Sequence, residues 1–252
     1  MLLSIPLRPE SPCYAVPLLF LPDLWSPASV WLPVGSFLDH RGWDGELLEL
    51  RGTGGMAQRT AAVMEHVATL DRLPVLIGHG AGALVALDVA RDSPVAAVVL
   101  VAPLLLGSGA CRRLTARWDA VWAIARGRDV PPPQGLRARR LFREVPSGLD
   151  GETARAVVDV VRGRARPPTR LSVPTLVVGG EHDPLLSRDA GIALASALGA
   201  EHVEIPGAGH WPLLPPRWRS TVGVVHRWLV HRLGEPLLDL YAEAMADREA
   251  DQ

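Results

Sequence analysis

The apolar positions of this chain fall into two patterns that alternate along it. Largely apolar runs of strand length occupy 14–22, 45–52, 73–78, 94–103, 173–180 and 202–207. Between them lie segments with apolar residues at helical spacing: 57–71, with Ala61, Met64, Val67 and Ala68 on one face, then 82–92, 188–200 and 220–233. A strand covered on both faces reads as a nearly continuous apolar run. Such strands alternating with helices build a mostly parallel sheet with helices on both sides. The expected fold class is α/β.

The stretch 107–170 breaks this rhythm. It carries helical patches around a "PPP" loop and no strand-like run. It reads as a helical lid inserted into a core formed by 1–106 and 171–252. The lid holds 14 arginines against 6 acidic residues. Solvated helix faces account for this, and a lid that handles an anionic substrate or carrier is the sharper alternative. After Gly234 the pattern suggests a fraying terminal helix, whose amphipathic face suits either a monomer or a homodimer.

Composition narrows the function classes. The 252 residues are 48% apolar, enough for one large domain with an inserted subdomain. A net charge of −1 gives no global field toward nucleic acid or a membrane surface. The chain has no lysine, so all 26 basic residues are arginine. Its two cysteines show neither metal-ligand spacing nor a disulfide framework, which favours a reducing, cytoplasmic setting. The apolar start is interrupted by prolines and lacks the form of a signal peptide, and no run is long enough to span a membrane.

The chemistry sits where strands end. "LIGHGAGALVAL" (76–87) carries an apolar run into a glycine-rich turn and out into a helix. This is the shape of a G-x-S-x-G nucleophile elbow, with Gly78 and Gly82 in place and Gly80 where the serine would stand. "VVGGEHDPLLS" offers Asp183 after one strand, and "IPGAGHWPLLPP" offers His210 after the next.

Elbow, acid and histidine in this order resemble the α/β-hydrolase family, and the resemblance covers nearly the whole chain. It implies that Asp183 is the triad acid and His210 the triad histidine. "FLPDLWSPASVW" (20–31) resembles the family's oxyanion loop, with Pro22 and Asp23 in place of the usual His-Gly pair. On that register the backbone amides of Leu24 and Ala81 form the oxyanion hole. Asp23 is either a solvent-facing loop acid or helix cap or, if it faces the pocket, a carboxylate that contacts substrate and repels an oxyanion. His79 is expected beside the elbow, packing below the turn or touching substrate. His182, next to the acid, reads as a loop residue.

Gly80 has no atom with which to attack, so no acyl-enzyme can form there. What remains is an Asp183–His210 dyad with the composition of a general base. Trp25, Trp31, Trp118, Trp122 and Trp211 could line a large aromatic pocket, and ordinary packing is the competing reading. Eight tryptophans against three phenylalanines and two tyrosines would suit a bulky aromatic or polyene ligand. The leading expectation is a non-hydrolytic enzyme of polyketide-type metabolism. It would cyclise, eliminate, open an epoxide, or make or cleave a C–C bond, without metal or organic cofactor. The alternatives are an inactive ligand-binding or scaffold protein, and a hydrolase in which His210 activates water directly.

Overall fold

Leu18, Leu19, Phe20 and Leu21 are all fully buried, which a strand achieves only when both its faces are covered. The computed structural model describes residues 2–24, 26–104, 169–183 and 185–233. Within them, seven strands form one sheet: β1 (Ser4–Leu7), β2 (Leu18–Leu21), β3 (Gly45–Leu48), β4 (Val75–His79), β5 (Ala97–Val101), β6 (Thr175–Gly180) and β7 (Glu201–Ile205). Their spatial order is β1-β3-β2-β4-β5-β6-β7. β1 lies antiparallel to β3, and every other pairing is parallel.

The described helices are α1 (Leu32–Asp39), α2 (Met56–Val67), α3 (Ala81–Asp92), α4 (Arg188–Leu198) and α5 (Trp218–Leu233). Strand alternation divides the core in two. Leu19, Leu21, Leu76, Leu100 and Val177 face α2, α3 and α4 through Val63, Val89 and Leu198. Leu18, Phe20, Ile77, Val99 and Val178 face α1 and α5 through Val34, Leu38, Val225 and Leu229. Each fully buried aliphatic side chain contributes about 1.5–3 kcal/mol relative to exposure, so the two half-cores hold the sheet rigidly beneath its loops.

The strands and helices expected from the apolar pattern are present with ends shifted by a few residues. Three elements are additional: a 3-10 turn at Ala28–Trp31, β1 and α1. β1 is a four-residue edge strand containing Pro6, which an edge tolerates and a central strand does not. α1 begins with a proline in its first turn and contains Gly35, which weakens its helical signature. Gly35 is explained by packing: a Cβ there would come 3.1 Å from Leu47 and 3.2 Å from Leu7. The lid expected over 107–170 lies outside the described residues but for its last two, as do the segment after Gly234, Trp25, Trp118 and Trp122. Among the described residues no helix is long and apolar enough to cross a membrane.

Candidate active site

The site is assembled at the C-terminal ends of β2, β4, β6 and β7. In the elbow, β4 ends at His79, Gly80 turns with φ 58° and ψ −116°, and α3 starts at Ala81. That left-handed φ is costly for most residues and cheap for glycine. The Gly80 N–H donates to the Val101 carbonyl at 3.0 Å, tying the turn to β5. Gly78 and Gly82 are required for a different reason. A Cβ at Gly78 would fall 2.6 Å from the Ala83 Cα, and one at Gly82 would fall 2.6 Å from the Pro22 carbonyl oxygen. Strand, turn and oxyanion loop therefore pack backbone against backbone.

His210 and Asp183 form a buried dyad. With the carboxylate ionised, the His210 Nδ1–H donates to Asp183 Oδ2 at 3.0 Å. Asp183 Oδ1 accepts the Leu185 and Leu186 amides at 2.7 and 3.1 Å, which fixes the carboxylate plane. Burial by itself lowers the His210 pKa. The Asp183 charge and hydrogen bond, together with the Asp23 charge, outweigh burial and raise it above the ordinary histidine value. His210 Nε2 is buried and has no hydrogen-bond partner among the described residues. The imidazole is thus held at one nitrogen and available at the other.

Asp23 caps the first amide of α3, one of the readings the sequence left open. It is fully buried rather than a solvent-facing loop acid. The β2–β4 register explains its position: Leu21 pairs with Gly78, so the two chains leave the sheet side by side and Asp23 comes level with Gly80. Asp23 Oδ1 accepts the Ala81 N–H at 2.7 Å. A Cβ at residue 80 would overlap the Asp23 carboxylate, with Oδ2 only 2.8 Å away. Oδ2 itself is buried without a hydrogen-bond partner among the described residues. The expected oxyanion hole is therefore corrected: the Ala81 amide is already bonded to a carboxylate of the protein. The Leu24 amide, on the same loop, has no acceptor among the described residues.

His79 lies beneath the turn, fully buried, and its Nε2–H donates to the His210 carbonyl at 2.8 Å. It braces the His210 backbone from below the turn. Burial pushes its pKa down to about 4, against smaller opposing effects of Asp23 and Asp183. A histidine kept neutral by the fold adds stability above its ordinary value and loses it as pH falls through the folded one. Unfolding free energy is expected to lose about 3 kcal/mol from this group between pH 6.5 and pH 4. Urea denaturation across that interval should show a shallower slope in His79→Gln than in the parent. Equal slopes would show that His79 does not carry the dependence.

Trp211 packs on His79 with ring centroids 4.5 Å apart and meets His210 edge-on at 6.0 Å, so it forms one wall of the dyad. Trp31 is a correction. It is fully buried in the apolar core against Phe20, 5.2 Å between ring centroids, and does not line the site. His182 is exposed, as a loop residue would be.

The sequence reading missed Glu49. This residue after β3 accepts the Ala28 N–H at 3.1 Å and pairs with Arg51, anchoring the oxyanion loop from behind. In the sequence nothing sets it apart from Glu46 and Arg51 in the same run. Among the described residues no group of three or more His, Cys, Asp or Glu side chains is gathered as a metal site requires.

A doubly covered parallel sheet, a strand–turn–helix elbow and an acid–histidine dyad on successive strand ends define the class. The chain belongs to the α/β-hydrolase family, whose sequence model matches residues 18–220. No curated protein sequence matches it. Among solved structures, BpoC from Mycobacterium tuberculosis H37Rv is similar with a TM-score of 0.75 at 20% identity, covering 92% of this chain and 96% of its own. MenH from S. aureus matches with a TM-score of 0.72 at 15% identity over 91% and 98% of the two chains. The monoacylglycerol lipase of Paleococcus ferrophilus matches with a TM-score of 0.70 at 18% identity over 92% and 99%. These likenesses establish the shared fold.

Proposed function

We propose that this protein is a non-hydrolytic enzyme of the α/β-hydrolase fold that moves protons without covalent catalysis. The observation that carries this reading is the intact dyad beside an elbow without a nucleophile. His210 is oriented by Asp183 and leaves Nε2 unpartnered, while Gly80 offers nothing to acylate. Suitable reactions are cyclisation, elimination, epoxide opening and C–C bond formation or cleavage. Each needs a proton taken from one atom and given to another. The proposed substrate is a bulky, largely apolar intermediate of polyketide-type metabolism, a choice supported by the tryptophan-rich composition and by Trp211 at the dyad.

A second reading is hydrolysis by water activated at His210, since the similar structures include a lipase by name. The bonded Ala81 amide argues against it, because ester hydrolysis develops an oxyanion that needs such donors.

The test is a chromosomal His210→Ala replacement in the organism that carries the gene, compared with a clean deletion and the parent by mass spectrometry of metabolites. Accumulation of the same precursor by both mutants is expected, and the precursor-to-product mass difference names the reaction class. Oxygen from labelled water in the product would move the assignment to hydrolysis. A point mutant that matches the parent while the deletion does not would mark the protein as a binder or scaffold.

A further inference from the structure

The feature that the dyad reading leaves unused is the Asp23 carboxylate. A buried charge is expensive unless it is paired or hydrogen-bonded. Asp23 is fully buried and only half satisfied: Oδ1 takes the Ala81 amide, and Oδ2 has no hydrogen-bond partner among the described residues. His210 Nε2 is likewise buried and unpartnered. The Asp23 carboxylate stands where a side chain at residue 80 would begin, at the head of the elbow helix. Capping the elbow helix uses Oδ1 alone and leaves the buried Oδ2 unaccounted for. One held oxygen and one open oxygen is the arrangement of a base.

We infer that Asp23 is the second catalytic residue of this site, the general base that occupies the place of the missing serine and works with His210 as the general acid. This rests on the proton-transfer reading above and assigns its two roles. Burial lowers the His210 pKa, and the Asp183 contact, together with the charge of Asp23, more than offsets it and favours the imidazolium. In the forward step Asp23 Oδ2 takes a proton from a C–H or O–H of the substrate. The electron pair left behind moves into the forming bond or π-system. The Nε2–H of His210 delivers a proton to the atom that receives the displaced pair. The proton on Asp23 then passes to His210, directly or through a water molecule, and restores the starting state. No oxidant or co-reactant is consumed. The substrate class narrows to molecules carrying an acidic C–H or O–H and a basic acceptor within one site's reach. Acyl donors that need an oxyanion hole fall outside it.

The experiment uses purified full-length protein and, as substrate, the precursor-containing extract of the deletion strain. Asp23→Asn keeps the shape and can still accept the Ala81 N–H through its amide oxygen, but cannot take a proton. Turnover is expected to fall at least about 100-fold, the usual contribution of a positioned base, with the melting temperature nearly unchanged and the His210 ring pKa, followed by NMR, moved down. Should Asp23→Asn fail to fold, Asp23→Ala with added formate decides, because a small carboxylate can refill the vacated site. Restoration of turnover by formate is expected, and no restoration overturns the assignment. Asp23→Asn turning over within about threefold of the parent while His210→Ala is inactive would also overturn it, leaving the dyad reading standing. If His210→Ala also turns over the precursor, the dyad reading itself fails.

Discussion

Replacing Asp183 by asparagine is expected to cost about 10⁴-fold in turnover while leaving the fold in place, the scale set when a dyad loses its orienting acid. An asparagine can still accept the Leu185 and Leu186 amides that Asp183 Oδ1 accepts at 2.7 and 3.1 Å. Its NH₂ group would then face His210 Nδ1 across the distance now spanned at 3.0 Å. That nitrogen must become an acceptor, so the doubly protonated imidazolium that serves as the acid is disfavoured, and the negative charge that stabilises it is gone. The sign of the pH effect follows. Burial lowers the His210 pKa, and the two nearby carboxylates raise it above the ordinary value. Losing Asp183 lets burial dominate, so the activity limb reporting the protonated histidine moves to lower pH. Steady-state assays on the accumulated precursor across pH measure both effects. Turnover within tenfold of the parent, or an unmoved limb, would show that Asp183 only holds a loop.

The second large effect is a gain of activity. Gly80→Ser alone is expected to stay inactive on 4-nitrophenyl acetate, because the new Cβ would collide with the Asp23 carboxylate, whose Oδ2 lies 2.8 Å away. The Ala81 amide would also remain bonded to Asp23. Adding Asp23→Gly clears the space and frees that amide. The double variant is expected to hydrolyse the ester at least about 100-fold faster than Gly80→Ser, since one oxyanion-hole donor is worth about 10²–10³. Backbone strain does not forbid the serine: holding it at the elbow costs about 1–3 kcal/mol, which the sheet and α3 can sustain. An acetyl-enzyme at residue 80 seen by mass spectrometry would confirm the route. Equal rates in the single and double variants would show that Asp23 does not block the elbow.

These predictions also mark where sequence reading reached its limit. The alternation of apolar runs and helical segments was legible because burial on both faces writes a continuous signal into each strand. Gly78, Gly80 and Gly82 were legible because they fall on the two glycine positions and the serine position of a G-x-S-x-G strand–turn–helix. Asp183 and His210 were legible because each follows its strand in a recognisable loop. The edge strand β1 and helix α1 were not, since Pro6, Pro33 and Gly35 dilute their local signatures and long-range packing decides them.

Asp23 shows the same division at the site. Its presence on the oxyanion loop, in a position the family gives to glycine, can be read from the chain. Its place against Gly80, where a Cβ would begin, cannot. Asp23 and Gly80 lie far apart in sequence and meet because β2 and β4 pair in parallel with Leu21 opposite Gly78. Trp31 went the other way, from a proposed pocket wall to the core beside Phe20, because a tryptophan satisfies a pocket and a core equally well in sequence. The sequence by itself determined the fold class and offered Gly80, Asp183 and His210 as candidates, because local spacing places each at the end of a strand. The tertiary structure alone decided which carboxylate fills the gap and which amide it takes, because strand register sets those distances.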